Sequence, residues 1–277
     1  DGDRATEELP KTVADILTEQ RPPTRQEWAF IEGYFDRLGI AANNRMGADE
    51  FDLVMQLLAN PDFPAVPRLY NINRYLEKHG SDAKQMAFAE LLMKRLESGA
   101  TWPEGLDHSV EDDLGTLSHG FSRLPDVALR PLKERHLAIA RERMVQIEAR
   151  SVVTKLHVHG EGAVPALLAA METGLGGGEN FFRGNEYQHP YLGGLMGLCN
   201  GGERLASALP KLLEWSKAGR LPDHASYGNL LTTTVLRLGG DEETAWSIYK
   251  TDDKNRTRER FHRLVRKSSD KRYRCSY

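Results

Sequence analysis

Short apolar segments with helical spacing, separated by glycine and proline, are the feature that most constrains the fold of this chain. In TRQEWAFIEGYFDRLG, apolar side chains recur at Trp28, Ile31 and Phe35, which places them on one face of a helix. Thr24, followed three residues later by Glu27, predicts a capping box where this helix begins. The same spacing recurs in ADEFDLVMQLLAN and DAKQMAFAELLMKRLESG. The sequence therefore predicts an almost all-α protein.

Two places leave the local structure open. SVVTKLHVHG, from Ser151, is rich in β-branched residues that nearly alternate with polar ones, which is typical of a strand, although the segment could equally continue the preceding helix. Pro131 lies inside the long helical stretch from Pro125 to Arg150. Because proline removes a helical hydrogen bond, it predicts a kink, or a short helix followed by a longer one.

Two proline-containing segments predict a repeated helix type. VPALL, Val164–Leu168, and LPKLL, Leu209–Leu213, each place a proline shortly before two leucines, and the prolines are 45 residues apart. This pattern resembles the HEAT and armadillo-like class, whose repeats are stacked helix pairs. The resemblance implies an all-α fold of stacked antiparallel helical hairpins, a HEAT-like α-solenoid, with residues 1–249 as its body. Proline near a helix start is also ordinary first-turn chemistry, so an irregular helical bundle is the alternative.

Basic residues are concentrated near the carboxyl end of the chain. Residues 250–274 carry 11 Lys/Arg and 4 Asp/Glu, whereas the rest of the chain carries 26 and 36. We therefore treat residues 250–277 as a basic C-terminal helix and tail. Phe261, Leu264 and Val265 give this helix a narrow apolar stripe. The side chains that it leaves available to an anion are Arg256, Arg260, Arg263, Arg266 and Lys267. Such a helix could hold nucleic-acid phosphates, an anionic membrane surface or an acidic protein, or it could be a solvated terminal helix.

The most irregular segment is Thr173–Glu203, which contains 10 glycines. We interpret it as a glycine-rich insertion, residues 173–203, because long loops in compact helical proteins are often functional. The polar side chains that would contact a ligand or partner are Arg183, Asn185, Tyr187 and His189. The alternative is a surface insertion without a specific role.

A pair of histidines suggests a metal site. On a strand, His157 and His159 would point to the same face and could bind zinc, with His189 or His119 as a third ligand. The sequence contains no HExxH, CxxC or GxSxG motif. It therefore favours a protein without catalytic activity, and we expect no cofactor.

The chain contains only two cysteines, Cys199 and Cys275. Their scarcity favours reduced thiols and a cytoplasmic protein, whereas a bridge between them would indicate a periplasmic or secreted protein. No apolar run approaches the roughly 18 residues that a membrane helix needs, which predicts no transmembrane segment.

Taken together, these features favour a non-catalytic scaffold or adaptor that binds a protein partner. It would use the helical-repeat surface and the glycine-rich loop, because stacked helix pairs leave extended surfaces that suit macromolecules. Two alternatives stay open. One is nucleic-acid binding through residues 250–274, and the other is a metal-dependent enzyme that uses His157, His159 and His189.

Overall fold

The computed structural model describes residues 13–16, 18–19, 21, 23–40, 47–60, 75–98, 117, 120–142, 150–176, 190–221, 225–249, 257–270, 273 and 275. Every regular element in these residues is helical, so the predicted all-α class is confirmed. The chain forms two compact units, Asp1–Arg135 and His136–Tyr277. None of the described helices combines the length and the apolar character that crossing a bilayer requires.

The helices of the first unit begin where the sequence predicts. Thr24 N donates to Glu27 Oε2 at 2.7 Å and Glu27 N donates to Thr24 Oγ1 at 3.3 Å, which confirms the capping box. Hydrogen bonds from the Arg21 guanidinium and from the Thr24 backbone lower the pKa of Glu27 to about 2. The helices are α1, Arg25–Ile40; α2, Ala48–Ala59; α3, Asp82–Ser98; and α4, Asp126–Leu129.

Aromatic packing forms part of the core of the first unit. The ring of Phe51 on α2 lies 5.5 Å from that of Tyr75 and 6.5 Å from that of Phe88 on α3, measured between centroids. All three side chains are buried. Aromatic pairs at these separations add specific contacts to the hydrophobic effect of burial.

Pro131 divides the long helical stretch, as predicted. Helix α4 ends at Leu129, a 3-10 turn, η1, spans Arg130–Leu132, and helix α5 spans Lys133–Glu142. Proline is tolerated there because the first turn of a helix leaves its N–H groups without intrahelical partners.

The second unit contains the remaining described helices and two long 3-10 segments. SVVTKLHVHG is helical as far as His159 and departs from helical geometry at Gly160, so the strand alternative is wrong. Residues 143–149, which connect it to α5, lie outside the described residues, so continuation of the preceding helix stays a prediction. The elements are α6, Arg150–Thr154; η2, Lys155–Ala163; α7, Val164–Gly176; α8, Pro190–Gly201; η3, Gly202–Ala208; α9, Leu209–Lys217; α10, Ala225–Arg237; α11, Glu242–Tyr249; and α12, Arg258–Ser268.

The two repeated prolines occupy equivalent positions. Pro165 is the second residue of α7 and Pro210 is the second residue of α9, and a 3-10 segment precedes each helix. Both 3-10 segments contain a glycine with positive φ, Gly160 at 66° and Gly202 at 57°, where a side chain would be strained. Both prolines thus lie in the first turn of a helix, where a missing N–H costs little. This placement also fits ordinary first-turn chemistry, which is the alternative to a structural repeat.

Helix α8 lies at the centre of the core of the second unit. Every residue of this helix except Asn200 is buried. A Cβ on Gly194 would lie 2.5 Å from the Leu167 carbonyl oxygen, and one on Gly197 would lie 3.2 Å from that of Thr154. Glycine therefore lets α8 approach α6 and α7 closely. The carboxyl-terminal part of the glycine-rich segment 173–203 is this buried helix, not a loop.

The two cysteines form a disulfide that attaches the carboxyl-terminal tail to α8. Their Cα atoms are 6.0 Å apart, and both side chains are buried. Cys275 N donates to Asn200 Oδ1 at 2.9 Å, and Asn200 Nδ2 donates to the Cys275 carbonyl at 3.3 Å. The expectation of reduced thiols is therefore wrong. The fold brings the two cysteines together because the Asn200 side chain holds the tail beside Cys199. The cytoplasmic location loses the support that it drew from free thiols.

Candidate functional site

Helix α12 packs against the rest of the second unit through its apolar side. Thr257 caps the helix, since its side chain accepts a hydrogen bond from Arg260 N at 3.3 Å. Phe261 is fully buried, with its ring 5.3 Å from that of Trp246 and 5.6 Å from that of Tyr249. Leu264 and Val265 pack against the same apolar cluster. The apolar stripe that the sequence predicts is thus the docking face of this helix.

The opposite side of α12 carries the cationic residues that the sequence singled out. We call this surface the outer face of α12, and it consists of Arg260, Arg263, Arg266 and Lys267, all of which are exposed. Arg263 lies 3.8 Å from Glu259, a long ion pair between exposed side chains. Such a pair contributes little stability in water, so the Arg263 charge remains available to a partner.

Two basic side chains of this region are engaged within the unit. The guanidinium of Arg258 binds both carboxylate oxygens of Glu243, at 3.1 and 3.2 Å, and its Cζ lies 4.3 Å from the centroid of the Trp246 ring. Lys267 Nζ lies 4.6 Å from the centroid of the Tyr273 ring. Arg258 therefore helps to fix α12 on α11, and Lys267 contacts the tail as well as solvent.

Arg237 joins the carboxyl ends of two helices to the tail. Its Nε donates to the Cys199 carbonyl of α8 at 2.7 Å, and its Nη1 lies 3.4 Å from the Ser268 carbonyl of α12 and 3.3 Å from that of Tyr273. Carbonyl groups at a helix end lack intrahelical partners, and a cation there also interacts favourably with the helix dipole. Sequence reasoning missed this residue, whose position near the end of α10 was its only signal.

A groove of about 660 Å³ lies beside these helix ends in the second unit. Gly202, whose φ is positive, forms part of its wall, where a Cβ would lie 3.4 Å from the Arg237 carbonyl oxygen. The lining mixes charges of both signs with hydroxyl groups. Its charged side chains are Glu203, Arg204, Arg237, Glu242 and Asp270.

The two units carry net charges of opposite sign. The second unit carries 21 Lys/Arg and 16 Asp/Glu, a net charge of +5. The first unit carries 16 and 24, a net charge of −8. The outer face of α12 is therefore part of a unit whose overall field attracts anions.

The structure brings His159 together with His136, which the sequence analysis did not consider. His159 Nε2 lies 2.8 Å from His136 Nδ1, and His136 Nε2 lies 2.8 Å from the Val152 carbonyl oxygen. His157 has a different partner, since its Nδ1 lies 2.7 Å from the Thr154 carbonyl oxygen. The signal for His136 was its place on the buried face of a helix, beside Leu137, Ile139 and Ala140.

The hydrogen bonds of His136 determine which ring nitrogens of this pair carry a proton. A carbonyl oxygen only accepts, so His136 carries its proton on Nε2 and its Nδ1 accepts from His159 Nε2. Burial, reinforced by the neighbouring His159, His157 and Lys155, lowers the pKa of His136 to about 3. The pair joins α5 to η2, and His136 is uncharged at neutral pH.

Several predicted site residues lie outside the part of the chain that the structure describes. They are Arg183, Asn185, Tyr187 and His189 of the glycine-rich segment, Arg256 of the basic tail and His119. Within the described part, no three metal-ligating side chains converge. The three-histidine site with His189 or His119 stays a prediction.

We compared the chain with models of protein families, with curated proteins and with solved structures, and none of them matches it.

Proposed function

We propose that this protein is a non-catalytic scaffold or adaptor that holds an anionic macromolecule on the outer face of α12. The observation that carries this proposal is the division of the helix into two faces. Phe261 and its apolar neighbours are buried, and four cationic side chains are exposed on the other side. Because the helix is already docked, binding does not have to pay the entropy of folding it.

The packing around α12 supports a permanent surface. Arg258 is held by Glu243 and Trp246 at one end of the helix, and Arg237 holds the Ser268 carbonyl at the other. Both ends of α12 are therefore anchored by charged side chains. Cations on a rigid helix contact an anion at fixed spacing. They therefore bind it more tightly, and in a more defined orientation, than the same cations on a disordered tail, which must be ordered on binding.

The HEAT-like stacking of helix pairs remains part of the proposal. Its support is the recurring order of elements in the second unit, where α6, η2 and α7 are followed by α8, η3 and α9. In both sets, a 3-10 segment leads into a helix with proline at its second position. Repeated helix pairs would provide an extended support for the basic helix.

Retention on immobilised heparin, a sulfated polyanion, tests the proposal. The triple variant Arg260→Gln, Arg263→Gln and Arg266→Gln removes three charges from the outer face, and we expect it to elute at a much lower salt concentration than the unchanged protein. Lys217→Gln, which removes an exposed charge from α9 of the same unit, is the control, and we expect its elution to shift little. Equal elution of the triple variant and the unchanged protein would show that the proposal is wrong.

A further inference from the structure

The outer face of α12 lacks the apolar centre that protein partners use. Among the described residues, the exposed large apolar side chains are Met86 and Val127, and both belong to the first unit. The core of a protein–protein interface is enriched in apolar and aromatic side chains and depleted of charge. Interfaces with nucleic acids are more polar and far more positive. The composition of this surface therefore favours nucleic acid over an acidic protein.

The spacing of the cations suits a regular row of phosphates. Arg260, Arg263 and Lys267 are three and seven residues apart along one side of the helix, with Arg266 beside them. At about 1.5 Å per residue, this row is about 10 Å long. A DNA duplex presents about one negative charge per 1.7 Å of its axis, so each cation finds a phosphate within reach.

The sequence around α12 extends the same charge. Residues 250–274 carry 11 Lys/Arg and 4 Asp/Glu, and six of the basic residues lie outside the described helix. These six are Lys250, Lys254, Arg256, Lys271, Arg272 and Arg274. Clustering of basic residues in and around one helix of the sequence is typical of nucleic-acid-binding proteins.

The orientation of the aromatic side chains favours a duplex over a single strand. Phe261 points into the core, and the Trp246 ring lies beneath the Arg258 guanidinium. Proteins that bind single strands stack bases on accessible aromatic rings, which add a large share of the affinity. Within its described residues, α12 exposes no phenylalanine, tyrosine or tryptophan ring to a base, and its one exposed aromatic ring is the small imidazole of His262, so we expect its contacts to be chiefly with phosphates.

We infer that the outer face of α12 binds the phosphate backbone of duplex nucleic acid without reading its base sequence. This inference rests on the proposed function, and it names the partner of the same surface. Arg260, Arg263 and Arg266 supply guanidinium groups that can hold phosphate oxygens in pairs, and Lys267 adds a single charge.

Fluorescence anisotropy with a labelled 20-base-pair DNA duplex, measured over a series of salt concentrations, tests the inference. Four phosphate contacts predict a slope of about −3.6 for log K against log salt, which is a loss of roughly 100-fold between 50 and 200 mM salt. The triple variant Arg260→Gln, Arg263→Gln and Arg266→Gln is expected to retain a slope near −1. Two duplexes of unrelated sequence should bind equally well.

Parallel measurements separate the inference from the proposed function. A single strand of the same length, a polyglutamate peptide and vesicles of phosphatidylcholine with phosphatidylserine replace the duplex in turn. Lys217→Gln, which removes an exposed charge outside α12, is the control for charge. Tighter binding of any of these three ligands than of the duplex would overturn the inference and leave the proposed function intact. Failure to bind any polyanion would overturn both, and unfolding midpoints establish that each variant is folded.

Discussion

The buried His136 makes the stability of the second unit depend on pH. Its side chain is fully buried, and burial lowers its pKa to about 3, whereas a histidine in the unfolded chain titrates near 6.5. A group whose pKa is depressed in the folded state binds protons more readily when the protein unfolds. His136 therefore contributes its full stability above about pH 6.5 and loses it progressively between that pH and about pH 3.

The expected loss can be calculated from these two pKa values. At pH 5, nearly all unfolded molecules carry a proton on His136 and nearly all folded molecules do not. The free energy of unfolding is then about 2 kcal/mol lower than at pH 8. This figure depends almost entirely on the unfolded pKa, because a folded pKa of 3 or 4 leaves the side chain neutral at pH 5.

The assay compares chemical denaturation at pH 8 and pH 5, followed by tryptophan fluorescence. The unchanged protein should lose about 2 kcal/mol more between the two pH values than His136→Gln, which cannot titrate at this position. His262→Gln removes an exposed histidine of the same unit and should behave like the unchanged protein. If His136→Gln and the unchanged protein lose the same free energy, the reasoning about burial and tautomer is refuted.

Three further predictions concern stability. Reduction of the Cys199–Cys275 disulfide, which closes a loop with a sequence separation of 76, should lower the free energy of unfolding by about 4.5 kcal/mol, and denaturation with and without a dithiol measures it. Gly194→Ala should destabilise the protein by about 2 kcal/mol, because its Cβ would lie 2.5 Å from a backbone oxygen. Gly33→Ala, whose Cβ would have nothing within 4 Å, should stabilise it, because alanine favours a helix more than glycine does. If the melting temperatures of both variants shift in the same direction, this reasoning is contradicted. Thr24→Ala removes an N-cap and should cost about 1 kcal/mol, and an unchanged denaturation midpoint would count against the capping box.

Local chemistry was predictable from the sequence because it depends on neighbouring residues. Thr24 and Glu27 are three positions apart, so their reciprocal hydrogen bonds follow from helix geometry alone. The break at Pro131 likewise follows from the fixed ring of proline. The apolar stripe of α12 was visible for the same reason, because helical spacing puts Phe261 and Leu264 on one face.

Pairings between distant residues could not be predicted in this way. The partner of His159 is 23 residues away on another helix, and that of Cys199 is in the tail. The scarcity of cysteines favoured free thiols, but nothing in the spacing of two cysteines tells whether the chain brings them together. The strand geometry from which the His157 and His159 metal site was argued is contradicted, because the two residues lie in a 3-10 segment, where residues two apart do not share a face. The metal site itself stays a prediction.

The glycines of α8 show how one composition fits two opposite structures. Glycine-rich sequence is typical of loops, because glycine costs helix stability and leaves the backbone free. In PYLGGLMGLCNG, however, the residues between the glycines are almost all apolar, and a segment that is apolar on every side is typical of a fully buried helix. The helix recovers the cost of its glycines through contacts that only a bare backbone permits, such as that of Gly194 with the Leu167 carbonyl. The residues between the glycines, not the glycines themselves, therefore distinguish a binding loop from the centre of a core.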